Sequence, residues 1–483
     1  MNTEESLKSK TIKGLFWSFI DKFTAQIITF IIGIILARLL SPKEFGLIGM
    51  IAVFISISQI FINSGFKEAL IRKKTISEED YNTVFIFNIL AGLILYFILF
   101  LISGWVSEFY SEPQLKLLIR VLALGLIINS ITIVQFTRVT KKIDFKSLTR
   151  ISIISSIGSG VLGVFLAYLG YGVWSLIWRD LTNYTLSAFL LINLNKWYPN
   201  FRFSKKSFLE LFSFGGNLMI NAIMGAFFRN VYFLVIGKYY AASILGQFTR
   251  AETFKRLPSQ TVSDMVNRVS YPILAELQDD QMKLYSAYKR LIKSTMFITI
   301  IGMFTLSVIS ENLTVLLMGE QWGIAGQYLR ILCFSGLFFP LDALNSNMLK
   351  IMNRSDLILK IGIWRKLLTI PLILIIIFVG IKPFLYALIL HQIISFLMIS
   401  NYSKSFINYG TVEQIKDIIP FFIIGVLIII IVLISEKLLN FSPIFNMIFQ
   451  LSISFFVMVI TCEISKIEAY TYLKKLIFNF NNR

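Results

Sequence analysis

Long apolar runs alternate with short polar breaks along almost the whole chain. A helix crosses a bilayer core with about 20 apolar residues. Runs of that kind occur at 13–37, 45–66, 84–105, 116–136, 151–169, 173–194, 211–236, 243–265, 291–310, 325–349, 361–380, 384–402, 418–435 and 444–462. The pattern predicts an all-α polytopic membrane protein with fourteen transmembrane helices. The eighth run, which contains "GQFTRAETFKRLPSQTVSD", is the most polar. It is retained because omitting it inverts every later loop. The first break, "SPKE" at 41–44, has the form of a capping box. Ser41 reads as the N-cap, Pro42 as the first helical residue and Glu44 as the side chain that reaches back.

The cations give the fourteen runs an orientation. With both termini placed in the cytoplasm, 34 of the 46 Lys and Arg fall in inside segments, six in outer loops and six within spans. The segment 255–293 carries seven of the inside cations, and 350–366 carries five. Cations gathered on one side of a polytopic protein mark its cytoplasmic face. The formal charge of +19 is therefore read as topology rather than as a nucleic-acid footprint. The same basic face suits anionic lipid.

A repeat lies beneath the pattern. "ILARLLSPKEFG" at 35–46 aligns without a gap to "VIGKYYAASILG" at 235–246. Arg38 matches Lys238, and Gly46 matches Gly246. Both copies start from the same side, since six spans separate them. The expected organisation is a parallel repeat of two six-helix lobes, 1–199 and 200–402, with two further spans and a basic tail over 403–483. A tight outer turn accounts for the glycine in each copy.

Composition sharpens this picture. The chain has 483 residues, 56% hydrophobic and 15% charged, with a mean hydropathy of +0.73. Soluble proteins are about 25% charged. Cys333 and Cys462 lie in apolar runs and read as small hydrophobes. A single histidine, His391, excludes a His/Cys zinc site. No P-loop sequence is present. The basic start with Lys8, Lys10 and Lys13 reads as the approach to a retained first span rather than a cleaved signal.

Charges inside the spans carry the candidate chemistry, because an ionised side chain at mid-membrane costs about 2.5–3.5 kcal/mol and marks a pathway or a pair. Arg229 and Arg250 stand out. They sit in consecutive spans at depths of roughly 10–12 Å below the outer face, by the helical rise. Two cations at that depth call for an anion, either Glu252 or an anionic substrate. Arg179 and Asp180 are adjacent in span 6 and point about 100° apart, so each is expected to find its partner elsewhere. Arg120 and Arg330 near the outer ends of spans 4 and 10 are expected to snorkel. Asp21 and Lys22 read as a pair with a neighbouring helix, and His391 as a packing residue. Among in-span carboxylates, Asp21, Asp180, Glu252 and Asp342 are the candidates for binding a coupling ion, H+ or Na+. No organic cofactor or metal is expected.

Several stretches resemble the Wzx-type polysaccharide flippases of the multidrug/oligosaccharidyl-lipid/polysaccharide exporter superfamily. They are "LARLLSPKEFGLIGM" at 36–50, "FYSEPQLKLLIRVLAL" at 109–124, "TRVTKKIDFKSLTRISIISSI" at 137–157, "GYGVWSLIWRDL" at 170–181 and "FKRLPSQTVSDMVNRVSYPILAELQDD" at 254–280. The last looks like the family's connector between spans 8 and 9. The resemblance implies a non-enzymatic transporter in the bacterial cytoplasmic membrane. It would move undecaprenyl-diphosphate-linked oligosaccharide to the outer leaflet for surface polysaccharide such as O-antigen or capsule. A polysaccharide polymerase and assembly proteins would be its partners. The site residues expected for such a substrate are Arg229, Arg250, Glu252, Arg179, Asp180 and Arg330. Two rivals stay open. A cation-coupled drug antiporter of the same superfamily needs an acidic cavity. A membrane polymerase or ligase needs a large outer loop, and every outer loop here is shorter than about 17 residues.

Overall fold

The computed structural model describes residue 17 and residues 23–63, 65–200, 202–438, 442–472 and 474. The described residues are almost entirely helical. Contacts divide the chain into two compact units, Met1–Gly246 and Gln247–Arg483. This division by compactness falls elsewhere than the 199/200 boundary that the internal repeat suggests.

In the first unit, α1 covers Phe23–Leu39, α2 Pro42–Asn63, α3 Phe66–Arg72, α4 Glu78–Tyr110, α5 Gln114–Leu122, α6 Leu124–Lys141, α7 Phe145–Tyr168, α8 Val173–Asn195 and α9 Lys205–Tyr239. The helix α10, Ala242–Glu276, begins at its end. The second unit continues with α11 Gln281–Met318, α12 Gly323–Gly336, α13 Phe339–Ile351, α14 Ser355–Leu367, α15 Thr369–Phe378, α16 Ile381–Ile407, α17 Thr411–Leu438 and α18 Pro443–Ile464.

All fourteen apolar runs fall on helices, the first of them described only at residue 17 and from Phe23 onward. Among the described residues, eleven helices are long and apolar enough to cross a membrane. The remaining three runs belong to α1, whose described part is short, and to α8 and α10, which are too polar. Among the described residues, four of the spans are composite. They are Pro42–Arg72, which contains α2 and α3, then α5–α6 at Ala123, α12–α13 at Leu337–Phe338, and α14–α15 at Leu368.

Local sequence signals account for the helix starts. Pro42 opens α2, and Glu44 Oε2 accepts from Ser41 N at 2.6 Å and Ser41 Oγ at 2.9 Å. This is the reach-back half of a capping box, and it satisfies a donor ahead of the helix. Ser77 and Asp80 form the full reciprocal box at the start of α4. Ser204 and Asp280 cap α9 and α11.

The segment 255–293 departs from expectation. It is not a loop. α10 runs unbroken to Glu276 through Pro258 and Pro272, and α11 starts at Gln281. Proline removes a backbone donor and usually breaks a helix. Around the first proline, Ser259, Thr261 and Ser263 hydroxyls donate to the carbonyls of Lys255, Leu257 and Ser259. Membrane helices tolerate internal prolines where neighbouring groups satisfy the freed carbonyls.

At the end of the first unit where α3 ends and α4 begins, basic residues also do structural duty. Lys73 bridges Asp80 at 3.1 Å and Glu210 at 3.0 Å. Lys141 donates to the carbonyls of Leu70 and Lys73. Arg138 pairs with Glu78 at 3.1 Å, and Glu78 also accepts from Trp197 Nε1 at 2.7 Å. Trp197 seals an apolar cluster with Phe66, Phe85, Val134 and Leu211. Burial works to lower the Lys73 ammonium, but hydrogen bonds to Glu210 and Asp80 outweigh it and hold the group above its ordinary value.

Candidate functional site

α9 carries Arg229 ten residues before its end at Tyr239, a depth of about 15 Å along the helix. The side chain is exposed. Its Nη1 folds back toward Gly225, one turn earlier, where a Cβ would meet it at 3.1 Å. Among the described residues, Arg229 has no carboxylate within ion-pair distance. The next residue on the same helix, Asn230, donates to the Ala226 carbonyl at 2.8 Å and reaches Ser56 of α2 at 3.4 Å. Gln59 of α2 donates to the Tyr184 hydroxyl of α8 at 2.6 Å. The first unit thus places a polar seam between α2, α8 and α9. The sequence pattern did not single out Ser56, Gln59, Tyr184 or Asn230, because uncharged polar residues are too common in spans to stand out.

Arg179 and Asp180 correct the expectation drawn from their angular separation. They pair with each other. Arg179 Nη2 lies 2.6 Å and Nε 2.9 Å from Asp180 Oδ1. The Cα–Cβ directions do diverge, but the arginine stem is long enough to carry the guanidinium around the helix to its neighbour. Gly163 of α7 admits this stem, since a Cβ there would stand 2.9 Å from Arg179 Cβ. The charge of Arg179 is therefore largely balanced in place.

In the second unit, Arg250 is half-buried on α10, eight residues after Ala242. Glu252 forms an ion pair with Lys255 at 2.6 Å, one turn along. Glu252 was one of two anions the sequence offered for the arginines, the other being a substrate, and its ion pair here is with a lysine. Lys255 is itself buried and stands over the Phe339 ring at 5.3 Å. By its position in the sequence Lys255 falls in the inside segment 255–293, yet it lies within α10. Arg330 of α12 pairs with Glu311 of α11 at 3.2 Å instead of only snorkelling. Arg120, in the first unit, donates to Ser103 Oγ at 2.9 Å and lies over Phe100 at 4.0 Å.

Asp342 of α13 meets Arg365 of α14 at 3.0 Å, and Ser395 Oγ of α16 at 3.4 Å. His391 Nε2 lies 3.2 Å from the Arg365 carbonyl. Arg365 had also been assigned to an inner loop. Arg365 sits in the last turn of α14, where composition alone does not separate loop from span, whereas Lys255 lies well inside α10, a helix too polar for its extent to be read from composition. Asp21 and Lys22 lie outside the described residues.

Of the residues singled out in the sequence, the structure thus pairs Arg179 with Asp180, Glu252 with Lys255, Arg330 with Glu311 and Asp342 with Arg365. Among the described residues, Arg229 remains a deep, exposed cation without a carboxylate at hand. A guanidinium in that setting binds phosphate or carboxylate by charge-assisted, forked hydrogen bonds.

The family described as "Polysaccharide biosynthesis protein" matches residues 35–327. The chain is 25% identical over 380 residues to the lipopolysaccharide biosynthesis protein WzxC of Escherichia coli (strain K12), covering 77% of this chain and 76% of that one. It is 24% identical over 357 residues to the teichuronic acid biosynthesis protein TuaB of Bacillus subtilis (strain 168), covering 73% of each. Its fold matches a solved structure of the lipid II flippase MurJ in an inward closed conformation. The TM-score is 0.77 at 16% identity, over 96% of this chain and 100% of that one. The architecture is that of the multidrug and polysaccharide exporter fold.

Proposed function

The chain belongs to the polysaccharide biosynthesis protein family, and on that premise we propose that it is a flippase for lipid-linked oligosaccharide. The substrate would be a glycan joined through a diphosphate to undecaprenol. It would pass from the cytoplasmic to the outer leaflet of a bacterial cytoplasmic membrane by alternating access, without covalent chemistry. Both termini would face the cytoplasm, and a polysaccharide polymerase would receive the product. The observation that carries this reading is Arg229, an exposed cation about ten residues deep in a membrane helix with no carboxylate at hand among the described residues. Such a group is costly in lipid unless an anion visits it. The names of WzxC and TuaB support a polysaccharide precursor as that anion.

Arg229 and Arg250 are the cations proposed to meet the diphosphate, each at some stage of its passage. Arg179, Asp180, Glu252 and Arg330 are assigned to holding the helices around the path, because each already has an ion partner. Coupling to H+ or Na+ would run through a carboxylate. Asp342 is the candidate nearest to a second polar group set, with Ser395 and His391 beside its arginine partner. A cationic-drug antiporter is disfavoured because Asp180 and Asp342, two of the three acids such a cavity would use, are matched by arginine, while the third, Asp21, lies outside the described residues.

The deciding experiment is a leaflet assay in proteoliposomes with undecaprenyl-diphosphate-linked oligosaccharide. Protein-dependent loss of the glycan from the face where it was loaded supports the reading. Export of a cationic dye, with the glycan lipid left in place, overturns it.

A further inference from the structure

Three segments of the second unit meet at one end of their helices. They are the first turns of α11, the first turns of α17 and the chain from Thr461 past the end of α18. Two adjoining cavities open there, of about 460 Å3 and 320 Å3, sharing Lys293, Glu468 and Ala469 in their walls. The charged groups lining them are five cations, Lys289, Arg290, Lys293, Lys416 and Lys466, and two carboxylates, Asp417 and Glu468.

The carboxylates are already engaged. Asp417 accepts from the Tyr409 hydroxyl at 2.7 Å and pairs with Lys289 at 3.3 Å and Lys293 at 3.4 Å. Glu468 pairs with Lys293 at 2.9 Å. Lys416 and Lys466 are exposed, and neither has an ion pair with a described residue. Arg290 lies over the Tyr472 ring at 5.4 Å. The site therefore carries an excess of positive charge at its rim.

The larger cavity is polar only at that rim. From Lys416 its wall continues along α17 through Pro420, Ile423, Ile424 and Leu427. These follow at four, seven, eight and eleven residues, one face of a helix, over about 16 Å. Ile423 and Leu427 are exposed. A cationic rim at the end of a membrane helix, followed by an open apolar stripe toward its middle, has the two chemistries of one ligand in order. Basic pockets between membrane helices bind anionic headgroups in this way.

We propose that this groove holds a diacyl phospholipid with an anionic headgroup, its phosphate at Lys416 and Lys466 and an acyl chain along Ile423 and Leu427. A soluble phosphate ester would use the rim and leave the stripe bare. A zwitterionic lipid would fill the stripe but gain little from the net charge. The site stands independently of the transported substrate.

The test is native mass spectrometry of the full-length protein, titrated with phosphatidylglycerol or with phosphatidylcholine of the same acyl chains. Wild type is expected to retain a phosphatidylglycerol that Lys416→Ala/Lys466→Ala loses, with at least a fivefold weaker apparent affinity in the variant. Phosphatidylcholine retention should be equal in both. Lys416→Arg/Lys466→Arg should keep the bound lipid, and Lys382→Ala should behave as wild type. Both rim lysines are exposed, so folding should survive, and Lys416→Gln alone gives a milder variant with the same readout. Equal phosphatidylglycerol binding by wild type and the alanine pair would overturn the site. So would equal wild-type affinity for the two lipids. A thermal shift from inorganic phosphate as large as that from phosphatidylglycerol would also overturn it, by showing an anion site without a lipid.

Discussion

Gly46 and Gly246 meet each other's helix starts. A Cβ built on Gly46 would lie 1.7 Å from the carbonyl oxygen of Ala242, and one built on Gly246 would lie 1.8 Å from that of Pro42. Each glycine thus touches the residue four positions ahead of the other. The two segments that align at an offset of 200 residues face one another across a local two-fold relationship. The glycines are there for backbone approach. Neither has the left-handed conformation that a tight turn would require.

Gly46→Ala and Gly246→Ala should each be severe. No flexible side chain can yield, because the obstructing atoms are backbone. Overpacking of a core costs about 1–3 kcal/mol when side chains can shift, and here the cost should exceed that range. The measurement is folded yield and thermal midpoint in detergent. Gly104→Ala is the comparison, since nothing lies within 4 Å of its added carbon. It should be neutral or mildly stabilising, as alanine favours helix.

Arg229→Ala should weaken substrate binding about ten- to a hundredfold, the loss of a charge-assisted hydrogen bond worth about 1.5–3 kcal/mol. Arg250→Ala should act in the same direction. Arg229→Lys should keep part of the affinity, since charge survives without the fork. Binding is measured on purified protein at matched folded concentration. Unchanged affinity in both alanine variants would remove the diphosphate contact.

Arg179 and Asp180 should behave as one unit. Asp180→Asn or Arg179→Met alone leaves a charge in a membrane helix without its partner and should destabilise by about 1–3 kcal/mol. The double variant should be less harmful than the two singles added together. A double-mutant cycle of thermal stability reads the coupling, and additive effects would mean the ion pair carries none.

Lys73→Met should destabilise the first unit where α3 meets α4, because Asp80 is almost fully buried there and loses its cation. The expected loss is about 2 kcal/mol. Lys73 has its folded-state value raised above 10.5. Its contribution is therefore full below pH 10.5 and fades as pH rises through the raised value. The stability gap between wild type and variant should stay constant near neutrality and close in strong alkali.

Topology is checked with single cysteines. Ser41→Cys, Tyr171→Cys and Ala241→Cys should react with an impermeant thiol reagent from outside. Ile143→Cys, Ser204→Cys and Asp279→Cys should not. Labelling of Asp279→Cys from outside, with none at Ala241→Cys, would mean that α10 does not cross.

What the sequence settled by itself is local. Apolar runs and the Ser41–Glu44 reach-back depend on atoms within one or two turns. The residue types therefore announce them wherever they occur. Backbone hydrogen bonds cannot be left open in lipid, so a long apolar run has little choice but helix. Charge pairing lay beyond that reach. Asp342 finds Arg365 across 23 residues, and Arg330 finds Glu311 across 19. Nothing in either segment marks the other. Arg179 and Asp180 are neighbours in sequence, yet whether their side chains meet depends on the room that Gly163 leaves on α7. α10 continues past Pro258 and Pro272, where the residue types by themselves mark two breaks. The alignment of Gly46 with Gly246 was visible in the letters. That each exists to admit the other's backbone was decided only when the two helix starts came within touching distance.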